Sequence, residues 1–147
     1  VIRKVQGFKA AMRQHLGVEP AHLERLVTHT VFSLEGGAAA AGRLITRGAT
    51  AVICGSDLMA LGAIRQARAM GLTVPRDLSV VGYDDSTMMA FTDPPLTTIR
   101  QSVEAMGDAA VRALIDDIAG EGPPRAEYVF RPELVVRGST GAAPSRA

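Results

Sequence analysis

The sequence predicts an α/β fold built on a doubly wound parallel sheet, and three observations support this prediction. Two short apolar runs, 51–54 and 78–81, are continuous in the way of parallel strands that are covered on both faces. The segments between the strands repeat apolar residues every three or four positions, as amphipathic helices do. Turn-forming glycines and prolines separate these segments. Strands that alternate with helices in this way are typical of a parallel sheet.

The first 48 residues predict a helix, a strand and a second helix. The first helix covers 1–16 and ends at Gly17. Its apolar face consists of Val5, Phe8, Met12 and Leu16. The apolar and β-branched residues of 26–31 predict a strand. The second helix ends at Gly48, and small residues at 36–42 predict that it lies close against another backbone.

The middle of the chain predicts a strand, a polar turn, a helix and another strand. After the strand 51–54, either Ser56 or Asp57 can accept the free N–H groups at the start of a helix. That helix is closed by Gly71. The second strand, 78–81, then leads into an acidic turn.

The C-terminal part begins with that acidic turn, 82–85, which we expect to end the second strand. The prolines in 93–95 fix φ and remove hydrogen-bond donors, so this segment is neither helix nor central strand and predicts a crossover. Further predicted elements are a strand at 97–100, a long helix that Ser102 caps and Gly120 ends, and strands at 128–130 and 134–137. The composition of 139–147 predicts a disordered tail.

Charge and composition argue against several classes of protein. The net charge is +1 and the arginines are scattered, so this chain has no basic stripe with which to bind nucleic acid. A single cysteine, Cys54, excludes an internal disulfide framework and fits a reducing compartment. No apolar run is long enough to span a bilayer, and no signal-peptide pattern is present. The chain begins at Val1 inside a predicted helix, which indicates a part of a longer protein.

Ligands of open α/β sheets lie at the carboxyl ends of the strands, and three side chains meet that condition. Asp84 can accept hydrogen bonds from two adjacent hydroxyls, Phe32 can stack on the apolar face of a ring, and Ser56 can donate. Together they predict a neutral, polar, ring-shaped ligand. Structural alternatives remain open: Ser56 could cap a helix and Phe32 could belong to the core. Asp57 is expected to cap the helix, and Asp85 to cap the next turn.

The sequence does not predict an enzyme or a cofactor site. It contains no GxSxG, P-loop, GxGxxG or CxxC motif. A hydrolase that pairs Asp57 with Asp84 is the enzymatic alternative. The three histidines fall seven residues apart, but Gly17 and Pro20 prevent one helix from aligning them. We therefore expect no metal site.

Three blocks of sequence carry a resemblance to a known family. They are TAVICGSDLMALGAIRQARAMGLTVPRDLSVVGYDD, DPPLTTIRQSVEAMG and RPELVVRGST. In this order and spacing they resemble the effector-binding region of the lactose-repressor/galactose-repressor (LacI/GalR) family of bacterial transcription regulators. The resemblance extends from about Lys4 to Thr140 and implies a two-lobed fold similar to periplasmic sugar-binding proteins.

The resemblance also implies how the chain is organised. Its segments would be 1–96 in the C-terminal effector-binding lobe, 97–130 in the N-terminal lobe, 131–138 back in the C-terminal lobe, and the tail 139–147. The long helix that follows Ser102 would then lack its own sheet in this chain. Operator DNA would be bound through an N-terminal domain that is absent from this chain.

The function implied is that of the sensing part of a cytoplasmic DNA-binding regulator, expected to be a repressor. A small molecule such as a sugar or nucleoside would shift the balance between two lobe arrangements of a homodimer. A periplasmic-type solute-binding protein, which shares the fold and the cleft, is the alternative. No cofactor and no membrane partner are implied.

The resemblance assigns roles to particular residues. The implied ligand-binding residues are Asp84, Phe32, Ser56 and Lys4. Ser56 stands where the family commonly has asparagine, and Lys4 where it has arginine, and lysine lacks the planar fork that binds a ligand through two parallel bonds. The implied dimer residues are Leu58, Leu61, Met88 and Phe91. The apolar segment 88–91 predicts a contact surface on its own, with burial inside the molecule as the alternative.

Overall fold

Helices and strands alternate through most of the chain, and the computed structural model describes residues 2–120 and 127–144. The helices are α1 Ile2–Leu16, α2 Pro20–Leu23, α3 Leu34–Thr46, α4 Asp57–Ala69 and α5 Val103–Ala119, with 3₁₀ turns at Glu24–Leu26 and Thr87–Ala90. The strands are β1 Ala51–Ile53, β2 Ser79–Asp84, β3 Thr97–Arg100 and β4 Glu133–Val135. The predicted α/β class is confirmed.

The four strands form one sheet in the order β1-β2-β3-β4. Strand β2 pairs in parallel with β1 and with β3, whereas β4 runs antiparallel to β3. The predicted parallel sheet is therefore confirmed for β1 to β3, and β4 adds an antiparallel edge. Strand β1 forms the other edge, where Ile53 is 63% exposed. The prediction that both faces of 51–54 are covered is wrong, because Ala51 and Ile53 point to one face and are exposed, while Val52 points to the other face and is buried.

Helices α3 and α4 lie in direct backbone contact, as the small residues at 36–42 predict. A Cβ atom added at Gly37 would lie 2.2 Å from the carbonyl oxygen of Met59. One added at Gly62 would lie 2.0 Å from the carbonyl oxygen of Leu34. Only glycine fits at these two positions, and each helix supplies one of them. The pair then packs on the sheet over one core, whose buried residues include Val52, Ile64, Leu78, Val80 and Leu96.

Two predicted strands are absent from the structure. In the segment 26–31, Leu26 ends a 3₁₀ turn and the residues after it have no regular structure, although Val27 is extended with φ −109° and ψ 136°. The segment 128–130 has none either. The backbone of neither segment forms a ladder with another strand among the described residues. A β-prone sequence becomes a strand only when a neighbour supplies the hydrogen bonds, so both predictions are wrong.

The start of the predicted disordered tail is ordered. Ser139 is fully buried, and its hydroxyl accepts from the N–H of Thr97 at 2.8 Å and donates to the carbonyl oxygen of Val80 at 2.6 Å. The Oγ1 atoms of Thr140 and Thr97 are 3.0 Å apart. The prediction of disorder over 139–147 is therefore wrong at its first residues, because two strands hold them. The last three residues of the chain lie outside the described part.

The boundary predicted at residue 97 is also wrong, because β3 belongs to the same sheet as β1 and β2. The chain leaves the sheet after Arg100 and returns at Glu133. Between these residues α5 contains no buried residue, and the side chain of Ser102 makes no capping hydrogen bond, contrary to prediction. Assignment of this excursion to a second lobe stays a prediction, and residues 121–126 of it lie outside the described part.

Candidate functional site

The carboxyl ends of β2 and β3 bring two polar side chains together. Asp84 is the last residue of β2, and Gln101 directly follows β3. Nε2 of Gln101 donates to Oδ1 of Asp84 at 2.8 Å. Strand β2 continues through Asp84 because Tyr83 and Asp84 lie opposite Ile99 and Arg100 of β3. The predicted break at 82 is therefore three residues too early, and Asp84 projects from a strand end rather than from a free loop.

Lys4 reaches the same edge of the sheet from α1. Its Nζ atom donates to the carbonyl oxygen of Gly55 at 3.1 Å and lies 3.2 Å from the centroid of the Tyr83 ring. Burial lowers the pKa of Lys4, and the negative charge of Asp84 opposes that shift. The ammonium group thus joins the turn after β1 to the end of β2.

Phe32 lies beside the turn after β1. The next residue, Ser33, caps α3 by accepting the N–H of Gly36 at 2.9 Å, which holds Phe32 just outside the helix. Its ring is close to Gly55, where an added Cβ would lie 3.2 Å from Cζ of Phe32. The side chain is 53% exposed, so the alternative that Phe32 belongs to the core is excluded.

Ser56 and Asp57 take different roles at the start of α4. Ser56 caps the helix by accepting the N–H of Met59 at 3.3 Å. Asp57 is 2% exposed, and it accepts from Oγ1 of Thr98 at 2.5 Å and from the N–H of Ser86 at 2.7 Å. The expectation that Asp57 caps the helix is wrong, because Ser56 occupies the capping position. Both oxygens of Asp57 are engaged within the protein.

Asp85 forms ion pairs and does not cap the next turn, which corrects another expectation. Nε of Arg100 donates to its Oδ2 at 2.7 Å, and Nη2 of Arg137 lies 2.7 Å from its Oδ1. The Asp85 side chain is only 6% exposed. Burial would raise the pKa of Asp85, but the two arginines outweigh it and hold that pKa below its usual value. Arg100 also reaches Glu133 at 3.4 Å.

The structure adds two residues to the site that the sequence did not single out. Tyr83 lies under the ammonium group of Lys4, and Gln101 is bonded to Asp84. Gln101 follows a predicted strand directly, which is the same criterion that identified Asp84. The position of Tyr83 carried no such signal, because its partner Lys4 lies far away in the sequence.

The implied dimer residues lie on α4, in the 3₁₀ turn Thr87–Ala90 and directly after that turn, and they differ in exposure. Leu58 is 48% exposed, Met88 67% and Phe91 80%. Leu61 is only partly buried and packs against the core. Within 88–91, Met89 is 6% exposed, so this segment is divided between packing inside the molecule and an open apolar surface.

The described residues contain neither a metal-binding group nor a membrane-spanning helix. No group of three His, Cys, Asp or Glu side chains there is arranged to hold a metal ion. None of the described helices has the length and apolar content needed to cross a bilayer.

The chain forms an α/β domain in which polar side chains gather at the carboxyl ends of parallel strands. A family model described as periplasmic binding protein-like domain matches residues 3–140, and the chain belongs to this family. Its relatives are transcription regulators. The chain is 58% identical over 145 residues to the HTH-type transcriptional regulator MalR of Streptomyces coelicolor and 39% identical over 144 residues to the repressor CytR of Escherichia coli K12. These matches cover 98% and 96% of the chain but 42% and 41% of the relatives, so the chain spans about two-fifths of their length.

Solved structures of LacI-type regulators have the same fold. A CelR–cellobiose complex matches 94% of this chain and 42% of its own, with a TM-score of 0.85 and 38% identity. A LacI family regulator from Enterococcus faecium with bound ribose matches 97% of this chain and 51% of its own, with a TM-score of 0.81 and 30% identity. The resemblance to lactose-repressor-type regulators is therefore confirmed.

Proposed function

We propose that this chain is the effector-sensing part of a bacterial transcription regulator whose affinity for operator DNA is switched by a sugar or a nucleoside. The observation that carries the proposal is the cluster at the carboxyl ends of β1 to β3. There Lys4 and Phe32 lie against Gly55 in the turn after β1, and Gln101 donates to Asp84 at the end of β2. The relatives, which are named regulators, favour this function over a periplasmic solute-binding protein.

The chemistry of the cluster suits a ring that carries hydroxyls. Asp84 accepts from adjacent hydroxyls, and Lys4 and Gln101 donate to ring or hydroxyl oxygens. The exposed face of Phe32 covers the apolar face of the ring. Ser56 keeps its O–H free to donate to the ligand, because only its oxygen is used for the cap. Two of the structural neighbours hold cellobiose and ribose, which are ligands of this kind.

The switch is a shift between two lobe arrangements that the effector binds unequally. This chain supplies one wall of the cleft, and the second wall belongs to the part of the relatives that the chain does not match. DNA binding also belongs to that part, in agreement with the net charge of +1 of this chain. The protein acts in the cytoplasm, where operator DNA is found, and it does so without catalysis.

The dimer of this regulator uses the surface formed by Leu58, Met88 and Phe91. These apolar side chains are exposed on α4 and on the 3₁₀ turn Thr87–Ala90 with the residue after it. Exposed apolar clusters of this kind mark interaction surfaces. Leu61 contributes less than the resemblance implies, because it also packs against the core.

Calorimetric titration of the intact protein with cellobiose, ribose and a nucleoside tests the effector site. We expect Asp84→Ala to weaken binding about 100-fold, because two charge-assisted hydrogen bonds are lost. Glu19→Ala removes an exposed carboxylate whose side chain makes no capping bond, and it should leave the affinity unchanged. Equal affinity of Asp84→Ala and the unaltered protein would reject this site.

Sedimentation velocity of Phe91→Arg tests the dimer. Phe91 is 80% exposed, so the change costs little folding free energy and places a charge in the proposed interface. We expect dimer affinity to fall at least about tenfold. Leu16→Arg, at a residue that is 69% exposed on α1, is the matched control and should sediment like the unaltered protein. An unchanged mass for Phe91→Arg would exclude this surface.

A further inference from the structure

The turn that carries Asp84 has an unusual backbone. Asp84 has φ +115° and Asp85 has φ +55°, although both have side chains. L-residues rarely adopt this region, and they remain in it only where the surrounding structure holds them there. Contacts that hold this turn therefore control where the Asp84 carboxylate lies.

One contact comes from α4 on the buried side of the turn. Oδ2 of Asp57 accepts the N–H of Ser86, directly after the two left-handed residues. Oδ1 of Asp57 accepts from Thr98, and Gly82 leaves the space for this atom, since a Cβ there would lie 2.4 Å from it. Helix α4 does not need this carboxylate for its cap, since Ser56 already caps the helix.

The other contact holds Asp85 through its side chain. Arg137, which is 17% exposed, pairs with Oδ1 of Asp85, and Arg100 bonds to Oδ2. Arg137 is itself fixed by a bond from Nη1 to the carbonyl oxygen of Leu96 at 2.8 Å. The turn is thus held at Ser86 by a buried anion and at Asp85 by buried and half-buried cations.

We propose that Asp57 and Arg137 are positioning residues for the effector-binding carboxylate of Asp84. They hold the left-handed turn from its two sides and touch no ligand themselves. This inference rests on the proposed function, because it assigns Asp84 to the effector. It adds that the affinity for a sugar depends on two side chains that contact the turn but not the ligand.

The test uses the intact protein with Asp57→Ala, Asp57→Asn and Thr98→Val. Asparagine can still accept the Ser86 N–H with its oxygen and donate its amide to the Thr98 hydroxyl, so it should restore what alanine removes. Thr98→Val takes the other partner of Asp57 away but leaves the bond to Ser86. The readouts are amide hydrogen exchange of the segment 84–88 and calorimetric affinity for cellobiose and ribose.

We expect Asp57→Ala to raise exchange of the Ser86 amide at least about tenfold and to weaken sugar affinity by a similar factor. Asp57→Asn and Thr98→Val should stay close to the unaltered protein in both measurements. Unchanged exchange in folded Asp57→Ala would overturn the proposal, and so would raised exchange with unchanged affinity. If Asp57→Ala does not fold, Arg137→Met replaces it in the test. Raised exchange together with weakened sugar affinity is again expected, and unchanged exchange or unchanged affinity would again overturn the proposal.

The experiments distinguish a failure of the proposed function from a failure of the positioning role. If the unaltered protein binds neither sugar nor a nucleoside, the proposed function is wrong in its effector class. The exchange measurement still decides whether Asp57 holds the turn, because it needs no ligand. If the unaltered protein binds a sugar and only the exchange result is negative, the proposed function stands and the positioning role is rejected.

Discussion

Helices α4 and α5 have similar sequence patterns and very different surroundings. Both are amphipathic, with 13 and 17 residues. Helix α4 buries seven residues, namely Asp57, Met59, Ala60, Gly62, Ala63, Ile64 and Ala67. Helix α5 buries none, and its exposed apolar residues are Val103, Met106, Val111, Leu114, Ile115 and Ile118. A helical pattern therefore shows which face can be covered, but not what covers it.

The difference has a physical cause in the partners of the two helices. Helix α4 meets α3 at backbone distance and packs on β2, so its small residues let apolar surface leave water on several sides. Most helical stability in proteins comes from such tertiary packing rather than from propensity. Helix α5 has no such partner among the described residues, and its stability rests on its own backbone bonds.

The two helices should differ most in the loss of unfolding free energy when one isoleucine in each is replaced by alanine. Ile64 in α4 is 5% exposed and Ile118 in α5 is 78% exposed. In the 147-residue chain, Ile64→Ala should lower the free energy of unfolding by about 2–5 kcal/mol through lost burial and a cavity. Ile118→Ala should change it by less than about 0.5 kcal/mol. Urea unfolding followed by circular dichroism measures both, and equal losses would mean that α5 is packed.

Replacing one glycine in each helix by alanine is expected to change the stability by a smaller amount. The change should be a loss in α4 and a gain in α5. Gly62→Ala forces a Cβ against the carbonyl of Leu34 and should destabilise the protein by about 1–3 kcal/mol. Gly107 in α5 has no atom within 4 Å of the added Cβ. Gly107→Ala should therefore make α5 more stable by about 0.5–1 kcal/mol, through helix propensity alone. Thermal unfolding of both variants decides the signs, and a loss at Gly107 would contradict the open surroundings described for α5.

An effect of roughly 1 kcal/mol is expected from the ion pairs at the two ends of the excursion that contains α5. Arg100 precedes it, Arg137 follows it, and both hold the pKa of Asp85 below its usual value near 3.8. The stability that Asp85 contributes is therefore complete above that pH and is lost as the pH falls through the lower folded-state pKa. Asp85→Asn should cost roughly 1 kcal/mol at pH 7, since Arg100 is half-exposed.

The check on this prediction is the pH dependence of the difference between the two proteins. Urea unfolding from pH 7 to pH 2 should show that the free energies of Asp85→Asn and the unaltered protein converge below about pH 3.8. A difference that stays constant over this range would mean that the charge of Asp85 makes no net contribution.

Part of the candidate site could be predicted because Asp84 and Ser56 lie at or just after strand ends, whereas the strand expected before Phe32 is absent and Lys4 was implied only by the family resemblance. Asp84, Phe32 and Lys4 are brought to one edge of the sheet, and their contact with an effector stays a prediction. Gln101 satisfied the same rule and was overlooked. Asp57 could not be assigned correctly, because its partners Thr98 and Ser86 lie 41 and 29 residues away.

Sequence rules for helices and turns predict a structure correctly where residues close together in the chain determine it. The sequence by itself determined the helix pattern of α3 and α4 and the placement of Asp84 near a strand end, because periodicity and turn chemistry act within a few residues, and it left the cap of α4 open between Ser56 and Asp57. Only the tertiary structure decided which β-prone segments became strands, that Ser139 is buried and that α5 is left uncovered. These outcomes depend on hydrogen-bond and packing partners that are distant in sequence, and a strand or a helix face is completed only by such a partner.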